Sequence, residues 1–188
     1  MPVLHLLAGP NGSGKSTYVA EVLQPITHLP FINADVIAAE RWPGAQLTHA
    51  REASDAAAVM REELLARRES FITETVFSHP SKNALVEAAS ARGYLVHLHV
   101  MMVPVELSVR RVAERVRDGG HDVPEHKIRE RHARLWALIA RAREIADRTE
   151  IFDNSRASTP FRPVASYRGG SLDGRATWPA WAPTELID

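Results

Sequence analysis

The run Gly9-Pro10-Asn11-Gly12-Ser13-Gly14-Lys15-Ser16-Thr17 has the residue types and spacing needed to hold a polyphosphate. It fits G-x-x-x-x-G-K-[ST]. The glycines allow positive φ and a close backbone approach, the lysine reaches β- and γ-phosphates, and the serine hydroxyl ligates Mg²⁺. The apolar run Val3-Leu4-His5-Leu6-Leu7-Ala8 precedes it and a helix-like stretch at residues 17–23 follows. Strand, glycine-rich loop and helix in that order give the pattern its meaning, because the helix N-terminus adds unpaired N–H groups and a positive dipole end. The expected ligands are ATP, or another nucleoside triphosphate, and Mg²⁺, with Ser16 on the metal.

Further candidates lie where later apolar runs end, since ligands of open α/β sheets sit beyond the carboxyl ends of the strands. Asn33-Ala34-Asp35 closes the second run. Asp35 there could take a proton from an attacking hydroxyl, or cap the helix that follows. Glu74-Thr75 sits inside Phe71-Ile72-Thr73-Glu74-Thr75-Val76-Phe77, an unusual place for a charge. Glu74 could serve metal, water or substrate, or form a structural salt bridge.

Arg110, Arg111, Arg115 and Arg117 occupy one helix-like stretch before Gly119-Gly120-His121, and positions 111 and 115 share a face. They suit either a lid closing on a transferring phosphoryl group or a solvated face paired with Glu106 and Glu114. His121 could touch phosphate or substrate from the same connection. His97 and His99 face one side of a strand without a third metal ligand, so packing is the expected role.

The chain of 188 residues suits one domain with a proper core; 45% of it is hydrophobic and 24% charged. With 23 basic and 23 acidic residues the net charge is zero, which argues against a nonspecific nucleic-acid binder. The absence of cysteine excludes disulfides and thiolate chemistry. No apolar run has the length of a membrane span, and the chain enters a strand at once, so a cytoplasmic enzyme without a signal peptide is expected.

Apolar runs alternate with helix-like stretches, the pattern of an α/β protein with a mainly parallel sheet. Strands are expected at 3–8, 29–33, 71–77, 94–103 and 150–153, five in all. Helices are expected at 17–23, from 36, and at 47–69, 80–93, 105–117 and 125–147. Residues 1–155 would form the nucleotide-binding domain. Residues 156–188, rich in proline, glycine and tryptophan, would be an appendage packed on it, with one strand at 163–168 and a loosely held end.

The phosphate loop, Ile32-Asn33-Ala34-Asp35-Val36-Ile37-Ala38 and Thr73-Glu74-Thr75-Val76-Phe77-Ser78 together resemble the zeta-toxin family of P-loop kinases. So do Arg111-Val112, Arg115-Val116, Gly119-Gly120-His121-Asp122-Val123-Pro124 and Asp153-Asn154-Ser155. The resemblance implies a three-layer P-loop kinase fold and a phosphotransferase that uses ATP or another nucleoside triphosphate. The best-known members of the family phosphorylate UDP-N-acetylglucosamine on the sugar. By this likeness Asp35 is the catalytic base, and Lys15 and Ser16 contact the γ-phosphate and the metal. Asn33, Glu74 and Thr75 belong to the substrate cleft, and Arg111 or Arg115 stabilises phosphate. Longer members carry an N-terminal segment that binds a small antitoxin; this chain starts at the first strand, which argues against that partner. The alternative is an ATPase or nucleotide-driven switch acting on a macromolecule.

Overall fold

The computed structural model describes residues 1–117, 120 and 123–187. Five strands form a parallel sheet: β1 (Val3–Ala8), β2 (Phe31–Ile32), β3 (Phe71–Thr75), β4 (Leu95–Met102) and β5 (Arg148–Asp153). Two antiparallel strands, β6 (Arg162–Arg168) and β7 (Ser171–Leu172), extend it to seven in the order β2-β3-β1-β4-β5-β6-β7. The α/β class is as expected, but the sheet has seven strands rather than five. The tail joins the sheet because β5 would otherwise expose a bare edge of N–H and C=O groups.

β1 lies at the centre of the five parallel strands and is covered on both faces, though His5 interrupts its apolar run. Leu4, Leu6 and Ala8 face the larger core, which Leu65 of α4 (Ala50–Arg67), Val86 of α5 (Ser81–Ala91) and Leu135 of α7 (Glu125–Ile145) complete. Leu7 faces the other side, against Tyr18, Val19 and Leu23. Those three belong to one helical rod made of α1 (Lys15–Tyr18), a π-helical turn (Val19–Leu23) and α2 (Gln24–Thr27). The widened turn stands just before Pro25, whose ring and missing N–H do not fit a regular helix interior.

The larger face also receives α3 (Ala34–Arg41), which packs on α4, while α6 (Val105–Arg117) packs on α7 through Val112, Val123 and Ile128. The tail is anchored at Leu186 rather than loosely held there. Leu186 is fully buried, and its carbonyl accepts from the buried guanidinium of Arg143 at 3.0 Å. Arg143 also lies over the Tyr167 ring, 4.4 Å from its centre, which ties the tail to α7 and β6.

Strand pairing sets the site. Leu7 and Ala8 stand opposite Glu74 and Thr75, so the last residues of β3 lie beside the loop leaving β1. No helix among the described residues is long and apolar enough to cross a membrane.

Candidate active site

The loop after β1 is built from backbone that favours glycine: Gly9, Gly12 and Gly14 have φ of 152°, 69° and 91°. A Cβ on Gly9 would collide with the Met101 carbonyl, and one on Gly14 with the Asn154 amide. Five successive carbonyls are engaged. Lys15 Nζ donates to Gly9 O at 3.0 Å and Pro10 O at 2.9 Å. Ser108 Oγ donates to Asn11 O, Arg111 Nη1 to Gly12 O at 3.1 Å, and Asn154 Nδ2 to Ser13 O at 2.9 Å. In a trans peptide N–H and C=O point in opposite directions. Holding the Asn11 and Ser13 carbonyls therefore turns the amides of Gly12 and Gly14 the other way, as a nest for anionic oxygens requires, while the Ser13 amide donates within the loop to Pro10 O at 3.3 Å.

Lys15 is only 7% exposed. Burial pulls its pKa down; the carboxylates of Glu74 and Asp35 oppose this, and Arg115 reinforces it. All four side chains line one cleft of about 760 Å³. Asn11, Gly12, Ser13, Gly14, Lys15, Ser16 and Thr17 line it, together with Asn33, Asp35, Glu74, Thr75, Arg111 and Arg115. Gly9 and Pro10 support it from behind through Lys15.

Ser16 Oγ donates to Glu74 Oε2 at 2.8 Å. A hydroxyl and a carboxylate, both hard oxygen donors, thus meet at the phosphate end of the cleft, and this pair fits a Mg²⁺ ion. Among the described residues no cluster of three or more His, Cys, Asp or Glu side chains could hold a metal. Oxygens of the nucleotide and water would therefore complete the shell around that pair, as is usual for Mg²⁺. Thr75 accepts from the Phe77 amide at 3.1 Å and shapes the turn after β3.

Asp35 is not a cap. Asn33 caps α3 instead, accepting from Asp35 N at 2.6 Å and Val36 N at 3.4 Å, which leaves the Asp35 carboxylate exposed in the first turn. A smaller cavity of about 330 Å³, walled by α3 and the start of α4, opens at Asp35 and Arg115.

The two arginines of α6 that share a face differ. Arg111 spends its guanidinium on Gly12 O and, at 3.0 Å, on Asn154 O, so it braces the loop from outside. Arg115 lines both cavities. Glu106 pairs with Arg129 of α7 rather than with the α6 arginines. His121 lies outside the described residues, as do Gly119 and Asp122 of the same connection.

Sequence reasoning missed Ser108 and Asn154 as anchors of the loop, and Arg61, Lys82 and Arg131 on the cleft wall. Each comes from a helix or loop remote in sequence. Only the lone lysine of α5 offered a signal, since the chain has just three lysines.

The sequence model of the AAA_33 family, described as an AAA domain, matches residues 4–138. The chain belongs to this family. No curated protein matches it significantly. Among solved structures it is similar to the complex of AvrRxo1-ORF1 and AvrRxo1-ORF2 with ATP, with a TM-score of 0.73 and 18% identity over 92% of this chain. This chain spans 60% of that one. It is also similar to a structure from the PezAT toxin-antitoxin system of Streptococcus pneumoniae (TM-score 0.56, 16% identity, 87% of this chain and 72% of that). A third is shikimate kinase from Acinetobacter baumannii in complex with shikimate (TM-score 0.54, 20% identity, 84% and 87%). At these identities the likeness establishes the fold alone, a mixed α/β P-loop kinase fold.

Proposed function

We propose that this chain is an ATP-dependent kinase that moves the γ-phosphoryl group of ATP onto a hydroxyl of a small molecule, with a UDP-activated amino sugar such as UDP-N-acetylglucosamine as the leading acceptor. The observation that carries the reading is the convergence of Lys15, Asp35 and the Ser16–Glu74 pair on one cleft. The nucleotide-bound neighbour of similar fold and the family membership support ATP as donor.

The residues take complementary roles in this reaction. The amides of Gly12 and Gly14 and the Lys15 ammonium hold the β- and γ-phosphates. Asp35 accepts the proton of the acceptor hydroxyl as its oxygen bonds to the γ-phosphorus. The bond from that phosphorus to the β–γ bridging oxygen breaks, and ADP leaves with the electron pair. Arg115 faces the charge that develops on the transferring group. A Mg²⁺ ion held by Ser16 and Glu74 would supply charge neutralisation on the phosphates.

Incubation with labelled ATP, Mg²⁺ and a panel of UDP-sugars, sugars and nucleosides, followed by mass analysis, tests this reading. One acceptor should gain 80 Da, the approximate mass of an added phosphate. ATP turnover with no phosphorylated acceptor would instead favour a nucleotide-driven switch. Two similar structures are, by their descriptions, a two-component complex and part of a toxin-antitoxin system, which makes an antitoxin-like partner worth testing by co-purification.

A further inference from the structure

One wall of the same cleft is made by α4 and α5, and it carries two cations. Arg61 from the middle of α4 and Lys82 from the first turn of α5 both line it, with Ser54, Ala57, Val76 and Leu85 around them. Both are half-buried. Burial weakens the hold of each on its proton; Arg61 weakens that of Lys82 further, while Glu62 opposes the effect at Arg61. Among the described residues neither side chain makes a hydrogen bond or salt bridge.

This is a costly arrangement. Half-buried like charges repel, and Glu62, whose charge offsets part of the cost at Arg61, is itself paired with Arg92. Two other arginines drawn into the fold, Arg111 and Arg143, are satisfied. Arg111 donates to two carbonyls, and Arg143 to Leu186 O and Glu144. The triphosphate of the donor does not explain the pair either, because on the kinase reading it is held by the loop after β1 and Lys15, which belong to other elements than α4 and α5. What remains is the acceptor, which must enter beside Asp35 on α3, the helix packed directly on α4.

We propose that Arg61 and Lys82 form an oxyanion subsite for the acceptor, so that the molecule phosphorylated carries a phosphate or carboxylate in addition to its reacting hydroxyl. This rests on the kinase reading of the cleft and narrows its substrate class. A guanidinium and an ammonium side by side suit an anion with several oxygens. Their apolar neighbours Ala57, Val76 and Leu85 offer contact to the body of the molecule. Neutral sugars and nucleosides are poor acceptors on this account, whatever their hydroxyls.

Matched acceptor pairs test the proposal with the full chain, ATP and Mg²⁺. UDP-N-acetylglucosamine is set against N-acetylglucosamine, and gluconate and shikimate against neutral polyols; the first pair reads phosphate and the second carboxylate. The charged member should be phosphorylated preferentially. Arg61→Gln and Lys82→Met should each raise the KM for it by roughly 10- to 100-fold while the KM for ATP stays within about threefold. Equal use of neutral members, or an effect on ATP rather than on acceptor, overturns the subsite.

A binding measurement separates this from failure of the kinase reading. Protein saturated with ADP and Mg²⁺ is titrated calorimetrically with inorganic phosphate and with acetate, in wild type and in the Arg61→Gln/Lys82→Met double variant. Anion binding lost in the variant, without transfer to any acceptor, keeps the subsite and sinks the kinase. Equal binding by the two proteins, or none by wild type, sinks the subsite.

Discussion

The side-chain oxygen of Asn33 accepts the backbone N–H of Asp35 across 2.6 Å, and this one bond separates two jobs that aspartate usually combines. An aspartate entering a helix ordinarily spends its carboxylate on the cap. Here Asn33 caps and Asp35, two residues on, keeps its carboxylate turned to the cleft. Asp35→Asn should therefore lower kcat by about 10²- to 10⁴-fold, the usual worth of a general base, with little change in ATP affinity or Tm. Calorimetric ATP binding beside turnover makes the comparison; undiminished turnover would remove Asp35 from the chemistry. Asn33→Ala should act mainly on stability, costing about 1 kcal/mol through the lost cap.

Arg111 and Arg115 lie one helical turn apart yet should fail differently. Arg115→Ala should reduce kcat by about 10²- to 10³-fold at nearly constant Tm, because its charge faces the transferring group. Arg111→Ala frees the Gly12 and Asn154 carbonyls and should lower both Tm and ATP affinity. Thermal unfolding with and without ATP distinguishes them. Identical profiles for the two variants would contradict the division of labour.

Glu74→Gln keeps a hydrogen-bond acceptor for Ser16 but removes the negative charge next to the metal position. The Mg²⁺ concentration for half-maximal activity should rise by roughly ten- to a hundredfold, with metal-free nucleotide binding little changed. A Mg²⁺ titration at fixed ATP reads this directly. An unchanged midpoint would return Glu74 to a structural role.

Stability should fall in mild acid because of His5, which sits among His97, His99 and Glu150 on the sheet face opposite the larger core. Burial first, then the His99 and His97 rings, pull its pKa from the usual 6.5 down to about 4. The unfolded chain thus binds this proton below pH 6.5, and the folded one only below about pH 4. The stability from neutral His5 is present above pH 6.5 and is lost as pH falls toward 4, with no further loss below. Tm measured from pH 7 to pH 4 should decline, and His5→Gln should flatten the decline. A variant as acid-sensitive as the parent would exclude His5 as the cause.

Most of what the sequence determined unaided is local. Residues 9–17 contain their own glycines, lysine and hydroxyl, so a nine-residue window states both the backbone shape and the chemistry. The alternation of apolar runs with helical stretches likewise announced a parallel sheet, and the carboxyl ends of its strands pointed to Asp35 and Glu74.

Tertiary structure alone decided what closes over long separations. Ser108 reaches Asn11 across 97 positions and Asn154 reaches Ser13 across 141, so no spacing rule could disclose that the loop's carbonyls are anchored there. The same holds for Arg61 and Lys82, ordinary surface-type residues until α4 and α5 bring them to one wall. It holds also for the tail: a strand at 163–168 was legible, but its antiparallel place on the edge of β5 and the second strand β7 were not, because local sequence does not record which edge needs hydrogen-bond partners.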